Sequence, residues 1–561
     1  MKKIVCFLLC MCTLFSTVGC SNGGGIDSTK SQLYIGNQNA GLGTAWLEQV
    51  VKNFEQQYAN TSFEPGKTGV EVFVTNRLEE YSQTSLTSTM PDNDIDLYYL
   101  DNIIPDAWIS EGLISETTSA VQAKIYDEDG ELSEISGKPA VQSIEDMMYD
   151  GVAQKYIVNN KYYGLPFFAE TGGIIYDKDL FEEKSYYFEK STYGPNGQIT
   201  KLGDIGLKRN DENIGIGPDG IEGTTDDGLP ETYTQFITLL DTMLIDNVIP
   251  FTWSVLGYQV RIAYTYIWAN YEGADDFALN FSFAGEDSDF GDIDDTNAYQ
   301  LRGQEGRKAA LQLFYDLAKK SDYHSPNVDK STQSHTEAEY EFVYSKKTNK
   351  RIAMLFEGSY WENEARSTFD FMEQTNPNDG YGKRNFGLLP VFKFTNIEEK
   401  NYGIKAQTTR ENVLRGGNMS SYECISNASP RKEIAAKFIQ FAHSASQLAV
   451  FTAHTDCIRP YTYTLTPAMK NTFTPFARSV YELLEDGAKL VPCVDSSPLK
   501  KANNGLFNTE SCWNFRVVMN TTEYYNPYSV FAAKSPSYSI EEVFSAIKSY
   551  GSFTKDNWPS L

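Results

Sequence analysis

Lys161-Tyr162-Tyr163-Gly164-Leu165-Pro166-Phe167-Phe168-Ala169-Glu170-Thr171-Gly172-Gly173-Ile174-Ile175-Tyr176-Asp177-Lys178-Asp179-Leu180-Phe181 is the stretch from which this chain of 561 residues is best read. It follows a polar, irregular run, 115–160, that reads as an insertion. Upstream of that run the order is strand, loop, helix, strand, strand. Leu33-Tyr34-Ile35 is a short strand, Gly36 to Gly43 a loop, and Trp46 to Tyr58 a helix with Leu47, Val50, Val51, Phe54 and Tyr58 on one face. Val70 to Val74 and Ile95 to Leu100 are further strands, apolar almost throughout, which suits a parallel sheet covered on both faces. The alternation predicts an open α/β lobe with its ligand beyond the carboxyl ends of the strands. Asn37-Gln38-Asn39 and Asp101-Asn102 each follow such a strand, so Asn37, Gln38, Asp101 and Asn102 are expected at one crevice, with ordinary turn chemistry as the alternative.

The quoted stretch resembles the hinge crossing of extracellular solute-binding proteins of carbohydrate ABC transporters, the maltodextrin-binding class of family 1 solute-binding lipoproteins. Their pattern is G-K-x-Y-G-L-P, an extended strand, then Y-N-K-D-L. Four other pieces are similar to that family in the same order: Leu33 to Leu47, Asp96 to Leu113, Arg351 to Trp361 and Arg431 to His443. The resemblance implies an α/β, two-lobe periplasmic-binding-protein-like fold of type II, each lobe an open sheet, joined by a hinge. Residues 31–165 plus 420–487 would form lobe one, and 166–419 plus 488–561 lobe two. Crossings are expected near Phe167–Thr171, Gly416–Met419 and Leu490; Gly416-Gly417 supports the second on its own, since Gly absorbs large dihedral changes cheaply.

The same resemblance places a ligand-binding carboxylate at Glu170 and a stacking aromatic at Tyr360, with Trp361 beside it; one of these two rings is expected in the core and the other at the ligand. Glu357 and Glu362 flank Tyr360 and could take a hydroxyl or stand exposed. Between Phe251 and Tyr271 lie Trp253, Tyr258, Tyr264, Tyr266 and Trp268, at spacings that mix strand and helix periods. Most should be core, with Trp253 the first candidate to reach the cleft. Two helix starts are legible: Thr232 with Gln235 makes a capping box, and Ser429-Pro430 reads as an N-cap followed by a first-turn Pro.

At the N-terminus, Lys2 and Lys3 precede an apolar run from Ile4 to Gly19 that ends at Val18-Gly19-Cys20. Basic head, short apolar middle and small-residue end read as an export signal, 1–19. Cys20 behind the small residue resembles a bacterial lipoprotein site, where the new N-terminal Cys carries lipid and 20–30 serve as tether; Thr17 departs from the usual Leu of that pattern. An ordinary secretory signal or an N-terminal anchor is the alternative. Four cysteines, Cys424, Cys457, Cys493 and Cys512, then remain, to be disulfide-paired in one of three ways or free and buried.

Net charge is −27, and loss of Lys2 and Lys3 with the leader takes it to −29. Such a surface repels nucleic acid and anionic lipid, so neither is an expected partner. Tyr, at 36 residues, offers a flat face with a polar edge, which suits sugars, though most will fill half-buried positions. The Gly/Asp-rich segment Asn210 to Gly228 holds Asp219, Glu222, Asp226 and Asp227, a set for structural Ca²⁺ or a plain surface turn. Catalytic signatures are weak. The four histidines make no ligand pair, no nucleophile elbow occurs, and Glu357 with Glu362 or Glu364 only imitates a glycosidase pair. The expectation is therefore a non-enzymatic, monomeric receptor, lipid-anchored outside the cell membrane, that passes a sugar or oligosaccharide to ABC permease subunits. A receptor for another small solute such as a peptide, or a ligand sensor for a membrane signalling protein, are the alternatives.

Overall fold

The computed structural model describes residues 25–557 apart from 40, 77, 79–81, 102, 104, 284, 289–290, 295, 331, 418–420, 494–514, 534–536 and 551–554. Cys20, Asn102, Met419 and Cys512 of the sequence reading lie outside these residues.

The first lobe is built on β1 (Ser31–Asn37), α1 (Ala45–Gln57), β2 (Val70–Thr75) and β3 (Leu97–Leu100). The second is built on β4 (Gly173–Asp177), α2 (Tyr233–Ile245), β5 (Ile249–Thr252), α3 (Tyr258–Glu272), α4 (His335–Tyr344), β6 (Ile352–Glu357), the short helix α5 (Trp361–Glu364) and β7 (Phe386–Leu388). The chain continues through β8 (Val413–Gly416), β9 (Tyr422–Ile425), α6 (Lys432–Ala442), α7 (Ala445–Thr455), α8 (Pro475–Glu485) and β10 (Lys489–Pro492).

Sheet one runs β9-β3-β1-β2, with β1 parallel to both neighbours and β9 antiparallel to β3. Because β3 is wholly buried, it must be covered on both faces, and its near-continuous apolar run Leu97-Tyr98-Tyr99-Leu100 meets that need. One cover is α1, which buries Trp46, Leu47, Val50, Val51 and Phe54. Phe54 then meets Phe438 of α6 at 5.0 Å. The polar stretch 115–160 forms only short helices, yet Val121, Tyr126, Leu132 and Ile144 sink into this lobe's core.

Sheet two runs β5-β6-β4-β7, with β5 parallel to β6 and β4 antiparallel to both of its neighbours. The expected capping box opens α2: Thr232 Oγ1 accepts from the Gln235 N–H, and the Gln235 side chain accepts back from Thr232 N–H. The second helix start differs from expectation. α6 begins at Lys432, and the Ser429 hydroxyl both accepts from Arg431 N–H (2.9 Å) and donates to buried Asp96 (2.5 Å), tying the helix entry to the sheet.

Three chain segments pass between the lobes side by side. Leu165 pairs with Glu423, Ala169 with Ile458, and Glu170 with Gly417, all antiparallel. The third crossing is thus Asp456 to Tyr461, not the stretch around Leu490. Leu490 sits in β10, paired in parallel with Leu414 of β8, and β8 is held to α3 by Asn270 Nδ2 donating to Val413 O. The helix α8 also differs from its expected place in lobe one. Its apolar face packs on sheet two, with Phe476 against Trp361 and Ser479 Oγ accepting from Leu388 N–H. The return to the second lobe therefore precedes α8 instead of falling at residue 488. Gly417 serves close approach: a Cβ there would lie 2.7 Å from Glu170 Oε2 and 2.3 Å from Arg415 Nη2. Cys424, Cys457 and Cys493 are free thiols, the first two buried.

Two of the crossings are locked by charge. Glu423 exchanges backbone hydrogen bonds with Leu165, while its buried carboxylate receives Arg459 of the third crossing at 3.3 Å and lies 2.9 Å from His443 Nε2. Burial opposes ionisation of Glu423, but His443 and Arg459 outweigh it and hold the carboxyl below its usual range. Burial, then Arg459, holds His443 low as well. Both shifts act in one direction. A carboxyl with a depressed folded pKa stabilises above its unfolded value and loses that contribution as pH falls; a His held low disfavours the fold once the unfolded chain protonates, below about 6.5. Stability is therefore expected to decline on acidification from about pH 6.5. Arg459→Met should cost about 3–5 kcal/mol in urea unfolding by removing the permanent cation from buried Glu423, and an unchanged midpoint would show the lock to be idle.

Candidate functional site

The crossing segment 165–171 puts Glu170 between the lobes. Its backbone exchanges hydrogen bonds with Gly417 (3.0 and 2.8 Å), so the strand pairing fixes where the side chain leaves the hinge. The carboxylate is fully buried. Oε2 accepts from Arg415 Nη1 at 3.0 Å and from the Tyr258 hydroxyl at 3.1 Å. Oε1 has no protein donor among the described residues. A buried carboxylate oxygen left open costs free energy, so its most economical explanation is a partner that the protein itself does not supply.

The second lobe builds a wall around that oxygen. β6 ends at Glu357, and the turn Gly358-Ser359 leads to Tyr360 at the head of α5. A Cβ on Gly358 would stand 2.5 Å from Glu170 Oε1 and 2.7 Å from the Tyr360 ring, so the missing side chain is what lets carboxylate and ring lie together. Burial, then Glu170 and Tyr258, push the Tyr360 phenol well up, which keeps it a neutral donor. Tyr258 opens α3 directly after Gly257, whose φ of 88° is in the left-handed region that favours glycine. Burial and then Glu170 push its phenol up too, and Asp101 of lobe one adds to the effect, so the two lobes meet there electrostatically.

Glu357 Oε1 accepts from the Gly358 N–H (2.9 Å), and Oε2 has no donor among the described residues. Glu339 of α4 and Glu364 of α5 lie beside it. Burial, backed by Glu357 and Glu364, raises Glu339 well above the carboxylate range; burial also raises Glu364, against the pull of His335. The loop after β1 closes on this wall from lobe one: Asn363 Nδ2 donates to Gly41 O at 2.8 Å, and a Cβ on Gly41 would touch Glu364 Oε1. The lobes are therefore shut on one another.

The expected residues divide. Glu170, Tyr360 and Glu357 come together, and Asp101 approaches from the other lobe. Of the adjacent rings, Trp361 is the core one, packed on Phe386, Phe342 and Phe476. Trp253 does not reach the cleft; it lies in the core of lobe two, between Phe356 (5.1 Å), His324 and Tyr528. Gln38 braces lobe one, donating to Leu78 O and accepting from Asp101 N–H, and Asn37 donates to Asn76 Oδ1. Glu362 points to Gly382 N–H, away from Glu357. Sequence reading passed over Arg415 as a site residue and held Tyr258 only as one of five rings behind Trp253. The signal for Tyr258 was a glycine immediately before an aromatic helix start, and for Arg415 a lone cation next to the hinge glycines.

The acidic loop does not gather. Asp226 accepts from Asp219 N–H, Asn412 Nδ2 and the Thr224 hydroxyl, Asp227 from Gly223 N–H, and Glu222 pairs with Lys190. Burial, then Asp219, pushes Asp226 up to about 7. Among the described residues no group of three Asp, Glu, His or Cys side chains could hold a metal ion, so the expected Ca²⁺ set of Asp219, Glu222, Asp226 and Asp227 does not converge on a common centre. No described helix is long and apolar enough to cross a membrane.

Trp253→Ala and Trp361→Ala should each lower stability by about 3–5 kcal/mol in urea unfolding, the cost of emptying a packed aromatic site. A loss below about 1 kcal/mol at either would mean that the ring is not packed as described.

No family model and no curated protein matches this chain. Among solved structures it is similar to RafE in complex with raffinose (14% identity, 82% of this chain and 89% of that one, TM-score 0.45). It is also similar to maltose-bound T. maritima MalE3 (15%, 92% and 98%, TM-score 0.48) and to a chitin oligosaccharide binding protein (16%, 86% and 96%, TM-score 0.45).

Proposed function

We propose that this chain is a receptor of the carbohydrate ABC transporter class, which closes its two lobes on a sugar or oligosaccharide and delivers it to a permease. The observation that carries the reading is Glu170: a buried hinge carboxylate with one oxygen clasped by Arg415 and Tyr258 and the other buried beside Gly358 without a donor among the described residues. Sugars meet proteins through their apolar ring faces, which stack on aromatics, and through hydroxyls, which need acceptors. Both are present at one point, on elements from both sides of the hinge.

The mechanism is a shift of population. Ligand that touches Glu170 on the crossing, Tyr360 on lobe two and the Gly41 loop on lobe one makes all three contacts only when the lobes are shut, so binding favours the closed form. The permease then reads that form. A hydrolase is the weaker reading, because burial raises both Glu357 and Glu364 and nothing sets one apart as the acid and the other as the base. In keeping with the leader, Cys20 would carry the lipid and hold the receptor outside the cell membrane.

Two experiments bear on this reading. In calorimetry against a panel of glycans and short peptides, one glycan class should bind, and Glu170→Ala and Tyr360→Ala should each weaken it by at least about a hundredfold, or about 2.7 kcal/mol, with thermal unfolding still cooperative. Peptide binding alone, or glycan affinity unaltered in both variants, would defeat the proposal. In cells, Cys20→Ala should move the protein from the membrane fraction to the medium; retention at the membrane would rule out the lipid.

A further inference from the structure

The wall facing Glu170 carries more acceptors than a neutral ligand requires. Glu339, Glu357 and Glu364 come from three elements of lobe two, α4, the end of β6 and α5. Acceptor oxygens there without a donor among the described residues are Glu357 Oε2 and, at the hinge, Glu170 Oε1, while Glu339 and Glu364 pair carboxyl to carboxyl. An independent feature points the same way. Gln259, 5% exposed on the first turn of α3, lies beside Glu357, and its Oε1 is buried without a donor among the described residues. That carbonyl is an additional acceptor at the same place, and it is not part of any acidic cluster.

Positive charge is scarce around these groups. Arg415 is engaged by Glu170 Oε2, and His335 stands 3.9 Å from Glu364, on the solvent side. Like charges enclosed together are costly, and burial and mutual repulsion push Glu339 and Glu357 far above the usual carboxylate range. A cation entering the cluster relieves that cost. A metal ion would need at least three ligands drawn to a common centre, and no such group exists among the described residues. An ammonium group instead has separate N–H donors that reach acceptors spread around it, and the Tyr360 face beside Glu170 suits a positive charge.

We infer that the Glu339–Glu357–Glu364 wall, with Gln259 Oε1, is a subsite for a protonated amine on the ligand, as in an oligosaccharide of free hexosamines. The inference rests on the sugar-receptor reading for its substrate class. It names Glu357 and Glu339 as the residues that set specificity, since they lie deepest.

The test is calorimetry with three β-1,4 disaccharides that share one backbone and differ at C2: the glucosamine disaccharide, cellobiose and the N-acetylglucosamine disaccharide, with spermidine as an amine that is no sugar. The amine disaccharide should bind at least about tenfold more tightly than either of the others, and Glu357→Gln should collapse that ratio toward one. Glu339→Gln serves as a second variant if the first does not fold. A ratio at or below one in the native protein overturns the amine subsite while leaving the sugar receptor standing. Binding of spermidine with none of the three disaccharides keeps the subsite and overturns the sugar reading. Failure of both the amine disaccharide and spermidine to bind overturns the inference.

Discussion

Everything at the centre of this molecule depends on one enclosed carboxylate. Glu170 is held from behind by strand pairing to Gly417 and from the side by Arg415 and Tyr258, so its position is not left to solvent. Enclosing an ion pair of this kind contributes little net stability, because desolvation cancels most of the attraction. Its value lies in placement. The clasp joins a crossing segment to β8 and α3, and it leaves the remaining oxygen beside Gly358 of the second lobe.

The surrounding fold follows from that arrangement. Glycines at 358 and 417 let backbone and rings approach the carboxylate to distances that a Cβ would forbid. Beneath the hinge, Glu423 with Arg459 and His443 ties two of the three crossings together inside lobe one.

Much of the fold was legible in the residues, and the limits have physical causes. Apolar runs at 70–74 and 95–100, the α1 face and the Thr232 capping box are local patterns and appear where expected. The third crossing was misplaced because Leu490 lies in a short apolar run, and such a run reads alike whether it joins lobes or pairs within one. In α8 an amphipathic face says that something is covered, not which sheet. For the site, Glu170 and Tyr360 were found through motif resemblance, while Trp253 was lost to the core because aromatic spacing alone cannot tell a cleft from an interior. Arg415 and Gln259 are distant in sequence from Glu170 and Glu357 and meet them only through the tertiary fold. The acidic loop carried the composition of a calcium site, but its side chains are taken up by their own turn and its neighbours, something composition cannot reveal.

The decisive measurement is a crystal structure of the protein with the glycan it binds best. A ligand hydroxyl or amine within about 3 Å of Glu170 Oε1, with a sugar ring against Tyr360 and the lobes shut around it, is the expected result. A ligand seated elsewhere, with that oxygen still lacking a ligand donor, would contradict the role assigned to the hinge carboxylate.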